Sequence, residues 1–399
     1  CLLLAGCGDG AQEPSDTTIT ISTPTQTEAE STPTETVTPT ATPEPTAEEA
    51  VLSILFINVG YGDAALIRGN GKAYMVDTGP KEAVPALYRG LALLGVDKLD
   101  GLFLTHTHGD LIGGAKALAL RCDIGTLYSA AIFMDEDNGK NAIDEAAADM
   151  GVEHVKLYAS DTVEIGGGAY FEVLGPLGYN DEDDNDNSLV MKLHAGGVTV
   201  LLTGDMQFAE ETTLMSAGAD LSADVLKVGN HGNPDATSEA FAIAVGARIA
   251  VIATSTAEDG DTPNERVLDA LYDAQVHVTQ DYACGVLLTA TDGEVVVSNP
   301  QPAAPTADIA IPGIDTDTQT VTLINNGADA DLSGYFIFSV KGSEVFVFPQ
   351  GAFLAAGDTL TVACRGGEGD YIWDDKKVWS DKDDEAGGLY DADGNELSR

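Results

Sequence analysis

The sequence predicts an α+β chain in which a region of two sheets flanked by helices is followed by a small β-sandwich. Three observations lead to this. Strand and helix signals alternate between residues 51 and 298, strand-sized runs without helical periodicity fill 306–399, and a Thr/Pro/Glu-rich stretch precedes both. At 399 residues the chain is too long for one ordinary domain, and its 44% hydrophobic content is enough for real cores. The 65 acidic residues against 19 Lys and Arg give a formal charge of −46. That balance argues against broad adhesion to nucleic acid or anionic lipid headgroups, because both need clustered cations.

Taken in order, Cys1-Leu2-Leu3-Leu4-Ala5-Gly6-Cys7 is an apolar run ending in small residues and reads as the end of a secretory signal. Leu4-Ala5-Gly6-Cys7 resembles the bacterial lipobox, which implies lipidation of Cys7 and a protein tethered outside the cytoplasmic membrane. Residues 8–50 have too little apolar surface to offset ordering and read as a disordered stalk. A strand is expected over 51–58, then strands at 64–67 and 73–77. A helix over 83–94 ends at Gly95, followed by a strand at 101–105 and a helix at 112–120. A second meander spans 154–203. Helices at 208–216, 238–245 and 264–274 then alternate with strands at 224–228 and 249–253, and a hairpin closes near 297. Residues 299–305 form a Pro/Ala linker, across which few contacts are expected. Strands are expected at 320–324, 335–340, 345–348 and 359–363. Cys122, Cys284 and Cys364 have no metal-type spacing and read as buried apolar residues, with one disulfide as the alternative.

The chemistry is concentrated in Leu104-Thr105-His106-Thr107-His108-Gly109-Asp110-Leu111, which follows an apolar strand and opens a helix. Two imidazoles and a carboxylate in one tight loop can converge on a small volume, and these donors suit Zn²⁺ or Mn²⁺.

Around this loop the chain resembles the metallo-β-lactamase-fold hydrolases, specifically their ComEC-like branch. Phe56-Ile57-Asn58-Val59-Gly60-Tyr61-Gly62-Asp63-Ala64 is similar to D-V-G-Q-G-D-A, and Met75-Val76-Asp77-Thr78-Gly79 to L-I-D-T-G. Asn187-Ser188-Leu189-Val190, Leu201-Leu202-Thr203-Gly204-Asp205 and Leu226-Lys227-Val228-Gly229-Asn230-His231-Gly232 follow in the family's order. The resemblance implies an αββα sandwich over 51–298. It also implies metal ligands at His106, His108, Asp110, Asp205 and His231, Asp77 supporting the metal loop from behind, and Asp110 as the catalytic carboxylate that handles water. The chain departs from the pattern at Leu111, where the family has a histidine, at Asn230 in place of the first His of H-H-G, and at Thr262 in place of a His before Pro263. These losses imply one ion rather than two.

Residues 306–399 resemble the lamin-tail domain through Val321-Thr322-Leu323-Ile324-Asn325-Asn326-Gly327, Asp331-Leu332-Ser333-Gly334-Tyr335 and Phe353-Leu354-Ala355-Ala356-Gly357-Asp358. That implies an immunoglobulin-like β-sandwich binding an envelope ligand. His154, His194 and His277 read as ordinary satisfied histidines, and the acidic run 181–186 and Glu210-Glu211 as solvated. Lys227 stands next to the site as a residue able to meet one phosphate. The functional expectation is a surface-tethered metal-dependent hydrolase with a partly degenerate site, acting on a phosphodiester or nucleic acid. The alternative is a non-catalytic envelope binding protein built on a decayed hydrolase domain.

Overall fold

The computed structural model describes residues 52–132, 141–380 and 386–399. The lipidation expected at Cys7 and the stalk expected over 8–50 concern residues outside these ranges. Among the described residues no helix is long and apolar enough to cross a membrane.

The first region opens with β1 (Leu52–Ile57), β2 (Ala65–Gly69) and β3 (Lys72–Val76), then α1 (Val84–Leu93), β4 (Lys98–Leu104), α2 (Gly109–Ile112), α3 (Ala115–Arg121), β5 (Asp123–Ala130), α4 (Ala142–Met150) and β6 (Glu153–Leu157). It continues through β7 (Thr162–Gly166), β8 (Ala169–Gly175), β9 (Val190–Ala195), β10 (Val198–Leu202), α5 (Phe208–Ala217), β11 (Val225–Lys227), α6 (Glu239–Val245), β12 (Ile249–Ile252), α7 (Glu265–Ala270), β13 (Gln275–Val278), β14 (Gly285–Thr291) and β15 (Glu294–Ser298).

These strands form an eight-stranded sheet, β15-β14-β1-β2-β3-β4-β5-β6, and a seven-stranded sheet, β13-β12-β11-β10-β9-β8-β7. Each is antiparallel in one half and parallel in the other, β3 to β6 in the first and β10 to β13 in the second. The apolar run of β1 is continuous because both of its faces are buried. Leu52, Ile54 and Phe56 pack between the sheets with Phe103, Phe171, Met191 and Val251. Leu55 and Ile57 face the other way, onto α1 and α3. The second sheet buries Leu201, Leu226 and Ile252 beneath α5, α6 and α7. The result is the expected helix–sheet–sheet–helix layering.

The single helix expected over 112–120 is two. Gly113 and Gly114 run so close to the backbone of residues 78–81 that a Cβ on Gly113 would lie 2.5 Å from the Lys81 nitrogen, and one on Gly114 2.5 Å from the Thr78 oxygen. The chain turns there, and only glycine fits. Helix α4, absent from the sequence reading, is capped by Asn141, whose side chain accepts from the amides of Ile143 and Asp144. Cys122, Cys284 and Cys364 are buried and free, as expected.

The second region holds β16 (Ile309–Asp315), β17 (Thr320–Asn325), β18 (Ala330–Asp331), β19 (Phe336–Ser339), β20 (Val345–Val347), β21 (Phe353–Leu354), β22 (Thr359–Cys364), β23 (Tyr371–Trp373), β24 (Gly387–Tyr390) and β25 (Glu396–Ser398). Sheets β16-β17-β22-β23 and β20-β19-β24-β25 face each other over Val321, Leu323, Ile337, Phe348, Trp379 and Leu389. Contrary to expectation, this sandwich does not hang from the linker. Phe336, Phe338, Val345 and Tyr390 share one buried cluster with Tyr88, Leu91 and Leu118. The Tyr88 and Phe336 rings meet edge-on at 4.8 Å, and Arg89 donates to the Gly394 carbonyl at 2.8 Å. The linker composition concealed this contact because the apolar residues that make it belong to α1, α3, β19, β20 and β24.

Candidate metal centre

Strands β1, β3, β4, β10, β11 and β12 all end at one pole, where the loops that follow them meet; carboxyl ends of parallel strands are where such sheets bind ligands. The β4 end delivers Thr105, His106 and, as the residue preceding α2, His108. The His106 Nε2 and His108 Nδ1 atoms are 3.0 Å apart, with His106 fully buried and His108 exposed. Asp205, in the turn after β10, is buried with Oδ2 3.7 Å from His106 Nε2 and 3.2 Å from His231 Nε2. Asp110, in the first turn of α2, brings Oδ2 to 3.1 Å from His231 Nε2. Asn230 and His231 both adopt positive φ, at 43° and 53°, a strained turn that aims the imidazole inward. All five residues expected as ligands therefore converge.

The surroundings orient these donors. Asp77, itself at φ 57°, accepts from the Thr105 amide at 2.9 Å and from its hydroxyl at 3.0 Å. Asp77 thus acts on the loop through Thr105, the supporting position expected for it. The Ser188 hydroxyl accepts from the Asp205 amide at 3.0 Å and lies 3.2 Å from His106 Nδ1. The Thr105 hydroxyl lies 3.3 Å from the same nitrogen. A proton on Nδ1 is matched by these oxygens, which leaves the Nε2 lone pair facing Asp205. His231 is fixed in the same way, with Nδ1 3.0 Å from the Ala253 carbonyl. Burial pushes the His106 pKa down, keeping it neutral. Burial also works against charge on His231, but the Asp205 and Asp63 carboxylates and its hydrogen bonds outweigh this and hold its pKa well above the ordinary histidine value.

The donor set suits a divalent ion. His106, His108 and Asp205 present ligand atoms within 4.8 Å of one another, and so do Asp63, Asp205 and His231. Asp205 Oδ1 and Asp63 Oδ1 are buried without a hydrogen-bond partner. Buried carboxylate oxygens lacking donors are places where a cation resolves an electrostatic cost.

Sequence reasoning missed Asp63, although it stands inside the D-V-G-Q-G-D-A-like stretch. It also missed Tyr61, whose ring lies 4.4 Å from that of His231 and whose hydroxyl accepts from Asn233. Several readings are corrected. Lys227 is not free to meet a phosphate, because its ammonium is buried against Asp63 and donates to the Gly204 carbonyl at 2.9 Å. Glu210 and Glu211 are buried, Glu210 accepting from the Leu177 amide and Glu211 from the amides of Thr237 and Ser238 at the start of α6. Within the acidic run, Asp184 accepts from the Thr107 hydroxyl and Asp186 from the Gln207 and Glu210 amides. In each case a carboxylate closes off backbone or hydroxyl donors at a loop junction, and this draws it inside. His154, His194 and His277 have ordinary partners in Asp144, Glu172 and Tyr282. At the points of departure, Leu111 is buried with its carbonyl accepting from Thr78. Asn230 binds Asp235 and Thr262 binds Thr254.

Comparison with known proteins gives the families of the two regions. Residues 57–256 match the Metallo-beta-lactamase superfamily and residues 302–399 match the Lamin Tail Domain. The chain is 28% identical over 238 residues to ComE operon protein 3 of Bacillus subtilis, covering 60% of this chain and 30% of that protein. It is 29% identical over 212 residues to competence protein ComA of Neisseria gonorrhoeae, covering 53% of this chain and 28% of the relative. The chain thus spans less than a third of the length of these curated relatives. Among solved structures, the metallo-beta-lactamase fold protein YhfI from Bacillus subtilis aligns with a TM-score of 0.42 at 14% identity, covering 61% of this chain and all of that one. The chain belongs to the metallo-beta-lactamase superfamily, in a ComEC-like form that carries a lamin tail domain at its C-terminal side.

Proposed function

We propose that the chain is a metal-dependent hydrolase of phosphodiesters, tethered outside the cytoplasmic membrane through a lipid on Cys7. The observation that carries the hydrolase reading is the convergence of His106, His108, Asp110, Asp205 and His231 on one pole. These residues would hold one Zn²⁺ or Mn²⁺. When bound, such an ion polarises a phosphoryl oxygen and lowers the pKa of water. The chain's own part is positional. Asp77 fixes the loop through Thr105, and Ser188 fixes both Asp205 and the His106 ring. Asp110, whose side chain is 28% exposed, faces the opening as a carboxylate able to accept a water hydrogen and aim the oxygen. The acidic surface and the engaged Lys227 favour a small phosphodiester over a long nucleic acid, since extended backbones are held by free cations. The names of the relatives, a competence protein among them, support a role near DNA uptake, in which the lamin tail domain serves as an anchoring or binding module.

A second reading, an envelope binding protein on a decayed hydrolase domain, is favoured by Leu111, Asn230 and Thr262, which occupy positions that the resemblance assigns to histidines. Zn²⁺ content and turnover of bis(p-nitrophenyl) phosphate by the full chain separate the two. The hydrolase reading expects about one ion, with turnover lost in His106→Ala. A folded chain with an ion and no turnover across a phosphodiester panel supports the binding reading. Fractionation of Cys7→Ser tests the tether, with release into the medium or accumulation of precursor expected.

A further inference from the structure

Asp63, Asp205 and His231 have the donor chemistry of a second cation site, yet a charge already sits among them. Lys227, the last residue of β11, is 4% exposed. Its ammonium contacts Asp63 Oδ2, donates to the Gly204 carbonyl at 2.9 Å and points toward Asp205 Oδ1 at 3.8 Å. An ammonium has three donors and no acceptor; Asp63 Oδ2 and the Gly204 carbonyl meet two of them, and Asp205 Oδ1 adds a charge contact without a hydrogen bond. Asp205 is divided between two roles, with Oδ1 turned to Lys227 and Oδ2 turned to His106 and His231. His231 cannot serve both sides, since its Nδ1 is engaged by the Ala253 carbonyl and lies 3.5 Å from Asp63 Oδ1. The adjoining cavity, lined by Asp63, Asp77, Gly204, Lys227 and Ala253 among others, is about 20 Å³, room for about one water and not for a hydrated divalent ion.

We infer that Lys227 is the resident cation of this pocket, taking the place of a metal ion at Asp63 and leaving Asp205 to serve a metal through Oδ2 alone. The inference rests on the metal reading proposed above. Two buried carboxylates without a cation would carry a large desolvation cost. An ammonium held on a covalent stem meets that need permanently and cannot be stripped by a chelator. Asp63 is then a positioning residue for Lys227, not a ligand.

The test is Zn²⁺ stoichiometry and affinity of the full chain, by elemental analysis and chelator competition, using Zn²⁺ as the only probe. Asp63→Asn is expected to keep the wild-type ion count, with affinity within about threefold, while melting at a lower temperature. Loss of an ion, or an affinity drop beyond about tenfold, makes Asp63 a ligand and overturns the inference. Lys227→Met leaves Asp63 unpaired and is expected to take up one ion more than wild type; a folded variant with the wild-type count overturns it. Should Lys227→Met fail to fold, the double variant Lys227→Met with Asp63→Asn removes both charges. The double variant is expected to fold with the wild-type count, and a missing ion in it is again contradictory. A folded wild type that binds no Zn²⁺ overturns the metal reading itself, and this inference with it.

Discussion

Two buried regions of this molecule are built on opposite principles. At the strand-end pole, Asp63, Asp77, His106, Asp205, Lys227 and His231 are all buried and depend on one another's charges and hydrogen bonds. At the junction of α1 and α3 with the lamin tail domain, Tyr88, Leu91, Leu118, Phe336 and Tyr390 bury apolar surface with little polar content. Apolar burial is favourable in itself, whereas buried charge is at best offset by its partners. The pole is therefore the place to look for binding, and the junction is what makes two family-level modules one compact body. A variant at the pole should change ion binding more than stability, and a variant at the junction the reverse.

The largest effect expected is from His106→Ala. Removing a direct imidazole donor should weaken Zn²⁺ binding by more than the ~100-fold that loss of a supporting contact costs. Because His106 is fully buried, its truncation should also lower the melting temperature of the ion-free chain, so chelator competition and thermal denaturation are measured together. Phe336→Ala should behave in the opposite way. A buried aromatic truncated to alanine costs about 3–5 kcal/mol, read by denaturant unfolding, while Zn²⁺ affinity stays unchanged. If only residues 306–399 are destabilised and the first region keeps its transition, the two modules are not coupled through this face. Thr105→Val removes the hydroxyl half of the link from Asp77 to the loop while the Thr105 amide keeps the other half, and should cost roughly 10-fold in Zn²⁺ affinity with a correct fold by circular dichroism.

A smaller effect separates the pole's neighbourhood from the junction by pH. Burial, with the nearby Asp186 charge, pushes Glu210 from 4.5 up to about 7 despite the Leu177 amide it accepts from. Its folded-state pKa is raised, so its contribution is fully present below pH 4.5 and is lost as pH rises toward and through about 7. Glu210→Gln should therefore gain stability relative to wild type between pH 5 and pH 8, whereas Phe336→Ala should show a pH-independent loss. A constant difference between Glu210→Gln and wild type across that range would contradict the assignment.

Much of the fold was readable from the sequence because the local signals were unambiguous. The apolar run of β1 and the glycine after α1 each announced an element. The candidate ligands His106, His108 and Asp110 were readable because one short loop carries them, and Asp205 and His231 through the resemblance of the motifs that hold them. The reading failed where the physics was non-local. Helix α4 is alanine-rich with a weak apolar stripe, and its signal is the Asn141 cap. Glu210 and Glu211 look solvated until the amides they accept from, brought by other segments, are in place. Asp63 was quoted within a motif but given no role, because its role depends on Lys227 from a different sheet. The docking of the lamin tail domain could not be read from the linker, since it is written in the outward face of α1 and in Phe336.

The central claim, that the pole is a metal centre doing hydrolytic work, is tested most directly by Zn²⁺ titration of the ion-stripped full chain with phosphodiester turnover followed in the same samples. Binding is expected to saturate at about one ion per chain, turnover to rise in step with occupancy, and both to be absent in His106→Ala. A folded chain that takes up no ion, or whose turnover is unchanged after stripping, would contradict it.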